Sequence, residues 1–256
     1  MLSVVRAVSA TLLFGTFGCA PVQLLEGNDV RIEQGMTEYQ EAVEIFVNEV
    51  LANYESCRIH GEEQGILEQM QCSDGSEEVQ SLCNEEIQAA REESTLLAKE
   101  ACNAASYMGN RIDFYIPTEA KLSVLKSRAM VLDSSGICVG AIEAGTKALK
   151  AVMPDSVGAA LGTEEVQKAN NCTQAVVNVV IENHRALALN HRCIDNPAYS
   201  GCPELFSGIA VDDGTWNPAV QASFFLPTML DTLIQNVRVV LVLEEAKKRG
   251  AGDEGR

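Results

Sequence analysis

The sequence predicts an all-α protein, a disulfide-stapled antiparallel helical bundle of about six helices. Nearly every apolar pattern in the 256-residue chain repeats at three- and four-residue steps, which is the spacing of one helix face. No alternating strand pattern extends beyond a few residues. Hydrophobic residues make up 46% of the chain and charged residues 21%, a balance typical of a globular domain with a substantial core.

Residues 1–18 have the features of a lipoprotein-type signal peptide. A single positive charge at Arg6 precedes a short apolar run that is too short to span a bilayer comfortably. Gly18-Cys19 is similar to the end of a bacterial lipobox, so we expect lipid attachment at Cys19. The alternative is cleavage after Ala20, because small residues at 18 and 20 also suit an ordinary signal peptidase. Residues 19–34 are then predicted to be a flexible tether.

The cysteines predict a disulfide framework. Whichever cleavage occurs, eight remain, and an even number in an exported chain indicates four bridges. These are Cys57, Cys72, Cys83, Cys102, Cys138, Cys172, Cys193 and Cys202. Of the roughly 100 possible connectivities, only the Cys193–Cys202 pair is predicted, because Asn196-Pro197 and Gly201 make the segment between them rich in turns. With no Cys-x-x-Cys and three scattered histidines, we expect no metal and no cofactor.

The first two predicted helices are long. The first spans about Thr37–Ile59 and ends at His60-Gly61. The second spans Ser76 to about Met108, with Ser76 as its cap and Gly109 as its stop. The inward positions predicted for the second helix are apolar or small: Val79, Leu82, Cys83, Ile87, Ala90, Leu97, Ala101, Cys102 and Ala105.

Four further helices complete the predicted bundle, which occupies residues 35–248. An apolar link, 111–116, leads to a helix capped by Thr118. A small-residue helix spans Ile137–Met153, and another follows from Thr163 to about Arg192. The last helix begins at Asn217-Pro218, an N-cap followed by proline, and extends to Lys248 with a kink at Pro227 and with Val220 and Phe224 inward. This helix is predicted to be a core helix and not a membrane span, because it contains polar residues that are costly in hydrocarbon: Asp231, Gln235, Asn236 and Arg238. Residues 249–256 are predicted to be a disordered tail.

Three sequence patterns are candidates for a catalytic or metal-binding site, and each has a simpler structural interpretation. Ser123-x-x-Lys126 matches the nucleophile motif of penicillin-binding hydrolases, but its companion motifs are absent. His184 and His191 share a helix face and could hold a metal, although polar pairs on an outer helix face are common. The segment 212–217 has oxygen ligands and a glycine but lacks the ligand spacing of a calcium loop. We therefore expect no catalytic residue.

The charge excludes some partners. After Cys19 the chain has 18 basic and 36 acidic residues, a net charge of −18. Nucleic acid and anionic membrane surfaces would repel such a protein. A basic protein partner or divalent cations remain compatible with this charge, and so does a purely solubilising role.

The chain resembles a loose group of small helical bacterial lipoproteins with no assigned activity. The pattern consists of Cys19, a polar tether, the segment 29–37 before a long amphipathic helix, Phe114-Tyr115, and Leu122-x-x-Leu125-x-x-Arg128-Ala129. It covers about half of the chain, and the eight cysteines are additional to it. The resemblance implies an all-helical envelope protein and implies no catalytic residue.

Two functions follow as expectations, with an enzyme as a third. The leading one is a non-catalytic envelope lipoprotein, anchored through Cys19, that acts as a scaffold or adaptor for a protein partner. The alternative is a carrier of a lipid or another apolar ligand between helices, for which the small-residue surface 140–148 could line a cavity. If Cys19 is not acylated, the protein is soluble and secreted. A carrier requires an apolar pocket of several hundred Å³, and an enzyme requires ionisable groups that converge in a cleft.

Overall fold

The protein is almost entirely helical in the part of the chain that the computed structural model describes, which is residues 29–72, 76–131, 172–199, 201–202 and 217–253. No strand occurs in these ranges, and the predicted all-α bundle is confirmed. The elements are α1 (Val30–Gln69), α2 (Glu77–Ala105), α3 (Tyr107–Asn110), a π-helical segment (Arg111–Tyr115), α4 (Ile116–Val131), α5 (Cys172–Asp195) and α6 (Pro218–Asp253). The predicted helix Ile137–Met153 lies outside the described residues.

Four of these helices form an antiparallel bundle. Helix α1 packs against α4 and α6, and α5 packs against the same two neighbours from the opposite side. The core between them combines aliphatic and aromatic side chains, whose burial contributes about 1.5–3 kcal/mol each, with buried polar side chains that include Asn178, His191 and Gln221. Helix α5 is buried on every side from Thr173 to His184, so it is the most enclosed element of the described fold.

One end of the bundle is tied together by two carboxylates. The Asp29 side chain caps α1 by accepting from the Arg31 backbone N–H at 2.9 Å, and it pairs with the Arg128 guanidinium on α4 at 2.8 Å. The Glu244 carboxylate on α6 accepts from the Asp29 N–H at 3.1 Å and from the Thr173 hydroxyl at 3.0 Å. Glu244 is fully buried, so this carboxylate is held inside the bundle by its hydrogen bonds and does not face solvent. The predicted tether is also too long, since α1 begins at Val30.

The second half of α1 projects from the bundle and pairs with α2. The helix does not end at His60-Gly61 as predicted but continues to Gln69. A glycine inside a helix costs about 1 kcal/mol relative to alanine. Pairing with α2 and the ion pairs of Arg58 with Glu55 and Glu62 offset that cost.

The predicted inner face of α2 is wrong at Val79, Leu82 and Leu97, which are exposed. Ala105 is buried as predicted, and the other five predicted residues are half-buried: Cys83, Ile87, Ala90, Ala101 and Cys102. The reason is geometric: α2 packs on α1 and, at its end, on α3, so a two-helix hairpin can bury only a narrow seam. The helix begins after Ser76 as predicted, but that side chain makes no capping hydrogen bond. It ends at Ala105, before the predicted stop.

The segment predicted as an apolar link is a turn of π-helix, Arg111–Tyr115. Its wider turn is closed by a hydrogen bond from the Ile116 N–H to the Arg111 carbonyl, a geometry often found at functional sites. Helix α4 follows without interruption, so Thr118 is a buried residue inside the helix and not its cap.

Helix α6 begins as predicted and extends further. The Asn217 carboxamide oxygen accepts from the N–H groups of Ala219 and Val220, which confirms the N-cap. The helix continues beyond Lys248 into the predicted disordered tail and ends at Asp253. Within the described ranges it is the one helix long and apolar enough to cross a membrane, over Pro218–Glu245. Its inward side chains include Leu226, Leu233, Val237 and Val240, while Val220 and Phe224 are exposed, contrary to prediction.

Candidate functional site

The arm is the part of the structure that projects from the bundle, and it consists of α1 from Glu55 to Gln69 together with α2. Beyond Tyr54 no residue of α1 is buried. The Arg91 guanidinium on α2 donates to the Leu67 carbonyl at 2.7 and 2.9 Å, and at 3.3 Å to the carbonyls of Glu68 and Met70. Arg91 therefore satisfies the unpaired carbonyls at the C-terminal end of α1 and complements its dipole.

Two disulfide bonds lock the arm. Cys57 pairs with Cys102 near the bundle, with Cα atoms 4.8 Å apart, and Cys72 pairs with Cys83 near the tip, at 6.1 Å. The predicted Cys193–Cys202 pair is confirmed, at 5.5 Å. Cys19, Cys138 and the side chain of Cys172 lie outside the described residues. Bridges at both ends of the arm restrict its unfolded state and keep it extended.

The surface of the arm combines exposed apolar residues with a strong negative charge. Ile66, Val79, Leu82 and Leu96 are 63%, 52%, 57% and 55% exposed. Residues 55–105 contain twelve acidic and three basic residues, so they hold −9 of the chain's net charge of −17. An acidic surface keeps the protein soluble, but it does not explain why several large apolar side chains on one element face water.

His184 is placed in the bundle core by α5. Its Nε2 lies 3.1 Å from the Tyr115 carbonyl oxygen, and its Nδ1 lies 3.2 Å from the Tyr39 hydroxyl. A carbonyl can only accept, so we assign the proton to Nε2. The neutral ring then accepts the Tyr39 O–H at Nδ1.

His191, two helical turns later, repeats this arrangement. Its Nε2 donates to the Ala105 carbonyl at 2.7 Å, and its Nδ1 accepts from the Tyr115 hydroxyl at 2.8 Å. The Ala105 carbonyl is at the end of α2, where no intrahelical donor is available, so the imidazole satisfies it. Asp195, one turn further, accepts from the Tyr54 hydroxyl and from the Tyr107 N–H.

Tyr39, Tyr54, Tyr115, His184 and His191 form a tyrosine–histidine layer in the core, and burial controls its protonation. Loss of solvation lowers the pKa of His184 and of His191 below the ordinary value, because the charged ring is disfavoured in the core. Burial raises the pKa of the Tyr39 and Tyr115 hydroxyls for the same reason. The pKa of Tyr54 is also raised, first by burial and then by the nearby Asp195 carboxylate. The two imidazole rings and the three tyrosine hydroxyls are therefore neutral at pH 7.

The histidines do not lie on an outer helix face, as the simpler interpretation of the sequence proposed. They are 1% and 0% exposed. No group of three His, Cys, Asp or Glu residues in the described ranges is arranged to hold a metal ion. Both ring nitrogens of each histidine are already engaged by tyrosine and backbone groups.

The other patterns considered in the sequence show no convergence of groups. Ser123 is exposed, and its hydroxyl donates to the Glu119 carbonyl at 2.9 Å, a helical back-bond that provides no general base. The segment 212–216 lies outside the described residues. The sequence does not predict the tyrosine–histidine layer, because its side chains come from α1, the π-helical segment and α5, and residue spacing within one helix does not show which distant segments are in contact.

Three bonded cysteine pairs among the described residues indicate an oxidising compartment outside the cytoplasm. Comparison with protein-family models, with curated proteins and with solved structures finds no match to this chain.

Proposed function

We propose that the protein is a non-catalytic adaptor of a bacterial cell envelope, anchored by a lipid on Cys19, which binds a protein partner through the arm. The observation that carries this proposal is the exposure of Ile66, Val79, Leu82 and Leu96 on a rigid, disulfide-locked projection. Single exposed apolar residues are normal on a protein surface, but several on one narrow element are typical of an interaction site.

The dimensions of the arm suit a protein interface. The 29 residues of α2 extend over about 43 Å at 1.5 Å per residue. A stable interface buries about 800 Å² on each partner, which one face of a helical hairpin of this length can provide. The bridges fix the arm before binding, so little conformational entropy is lost in the complex.

The charge of the arm defines the chemistry of the partner. With −9 on residues 55–105, the complementary surface is basic at its rim and apolar at its centre. Exposed ion pairs are screened by salt, so association is expected to slow as ionic strength rises.

A photo-crosslinking amino acid tests the proposal in the cells that produce the protein. Placed at Leu82 or Leu96 on the arm, it should give one discrete crosslinked product with an envelope protein. The matched control is Val242 on α6, which is 67% exposed but outside the arm. Equal crosslinking from the arm and from Val242, or none from either arm position, would contradict the proposal.

The anchor has its own test. Intact mass of the protein expressed with its own signal should show a chain that begins at Cys19 and carries the added mass of a lipid. The Cys19→Ala variant should lose that mass and leave the membrane fraction. A bare wild-type chain that begins at Pro21 would refute the anchor but would not affect partner binding by the arm.

A further inference from the structure

A groove of about 480 Å³ runs along the surface between α1 and α4, away from the arm. Its floor consists of Gly35, Tyr39, Leu122 and Leu125, and Ala42 lines it near one end. Residues 31 to 42 of α1 line the groove, a distance of about 16 Å along the helix. Its volume lies within the usual range for small-molecule sites, about 300–1,000 Å³.

Gly35 keeps the floor of this groove clear. A Cβ atom built at this position would lie 2.7 Å from Cδ2 of Leu125, so any side chain would push Leu125 aside. The glycine therefore lets α1 approach α4 closely beneath the groove.

The rim of the groove is cationic in a protein that is strongly anionic. Arg31, Lys121 and Arg128 all line it, although the chain has a net charge of −17. Arg128 is paired with Asp29, whereas the side chains of Arg31 and Lys121 form no ion pair with any described residue. Glu38 is the one acidic side chain on this rim, and the Gln34 amide donates to it at 2.8 Å.

We infer that this groove binds a single-chain fatty acid. The tail would lie along the apolar floor towards Ala42, and the carboxylate would lie at the end of the groove that Arg31 and Arg128 line. Charge complementarity selects an anionic head group, since the Arg31 guanidinium forms no ion pair with a described carboxylate. A volume of about 480 Å³ fits one chain better than the paired chains of a diacyl lipid. This site is independent of the adaptor role proposed for the arm.

Calorimetric titration with laurate, below its micelle concentration and at pH 8, tests the assignment. Dodecyltrimethylammonium has the same tail with a cationic head and serves as the ligand control. We expect laurate to bind at one site, dodecyltrimethylammonium to bind at least about tenfold more weakly, and affinity to rise about two- to fourfold for each methylene from decanoate to laurate.

Two variants with matched controls locate the site. Ala42→Trp fills the groove from an exposed position and should abolish binding, whereas Ala52→Trp, exposed on the same helix outside the groove, should not. Arg31→Glu with Lys121→Glu should weaken laurate binding at least about tenfold. Arg111→Glu with Arg238→Glu makes the same change in net charge elsewhere and should have little effect.

The inference is overturned if laurate does not bind at millimolar concentration, or if both ligands bind equally. It is also overturned if Ala42→Trp binds laurate like the wild type. Circular dichroism of each variant confirms that the fold is retained. If Ala42→Trp disturbs folding, the two double charge variants still decide the question.

Discussion

Replacing Tyr115 with phenylalanine removes one hydroxyl from the bundle core and leaves the ring in place. That hydroxyl donates to Nδ1 of His191 at 2.8 Å, and the two residues are 3% and 0% exposed. In the variant the imidazole keeps its bond to the Ala105 carbonyl, but its other nitrogen has no donor and no access to water. A buried acceptor left without a partner costs about 1–3 kcal/mol.

We therefore expect Tyr115→Phe to lose about 2 kcal/mol of unfolding free energy. Urea unfolding with the disulfides intact measures it. With a slope of about 2 kcal/mol/M, the midpoint should fall by about 1 M while the slope is unchanged, because the area exposed on unfolding is the same. Nitrogen NMR of the His191 ring should show Nε2 still protonated and Nδ1 shifted to the value of an unbonded nitrogen.

Tyr199→Phe is the matched control. The Tyr199 ring lies under the Arg192 guanidinium at 3.6 Å, and its hydroxyl has no hydrogen-bond partner among the described residues, so we expect a midpoint close to that of the wild type. If Tyr115→Phe is as stable as Tyr199→Phe, the assigned hydrogen bond makes no net contribution and the tautomer argument is wrong. A fall in slope instead would indicate altered packing.

Three further predictions concern pH, backbone and capping. Because the folded-state pKa values of His184 and His191 are lowered, their contribution to stability is complete above the unfolded-state value of about 6.5 and decreases as pH falls below it. NMR titration midpoints at or above 6.5 would contradict this. Gly61→Ala and Gly65→Ala should each stabilise the arm by about 0.5–1 kcal/mol, since an added methyl meets nothing within 4 Å. Slower amide hydrogen exchange along the arm would confirm this stabilisation, and unchanged exchange would contradict it. Arg91→Ala should destabilise the arm by about 1–2 kcal/mol by removing the charge-assisted hydrogen bonds to the last carbonyls of α1. We expect faster amide hydrogen exchange near the tip of the arm and unchanged exchange in the bundle. Equally faster exchange in the arm and the bundle would refute a role of Arg91 confined to the arm.

The sequence alone predicted the helical class, one disulfide and several helix ends. The spacing of apolar residues along the chain is a local property, so it indicates a helix without knowledge of the fold. The start of α6 is equally local, because the Asn217 side chain and the ring of Pro218 act within one turn. The Cys193–Cys202 bridge spans only nine residues, and the turn-forming residues within it bring its ends together.

What only the tertiary structure decided is which faces are covered. Val79 and Leu82 have the spacing of a core stripe, yet they face water because α2 has only α1 to cover its length. His184 and His191 look like surface residues, yet they are buried because carbonyls and hydroxyls from α1, α2 and the π-helical segment meet them. Periodicity indicates that a helix has an apolar face, but the burial of that face depends on how many other helices pack against it. The hydrogen-bond partners of a buried polar side chain come from distant parts of the chain, so its local sequence does not indicate them.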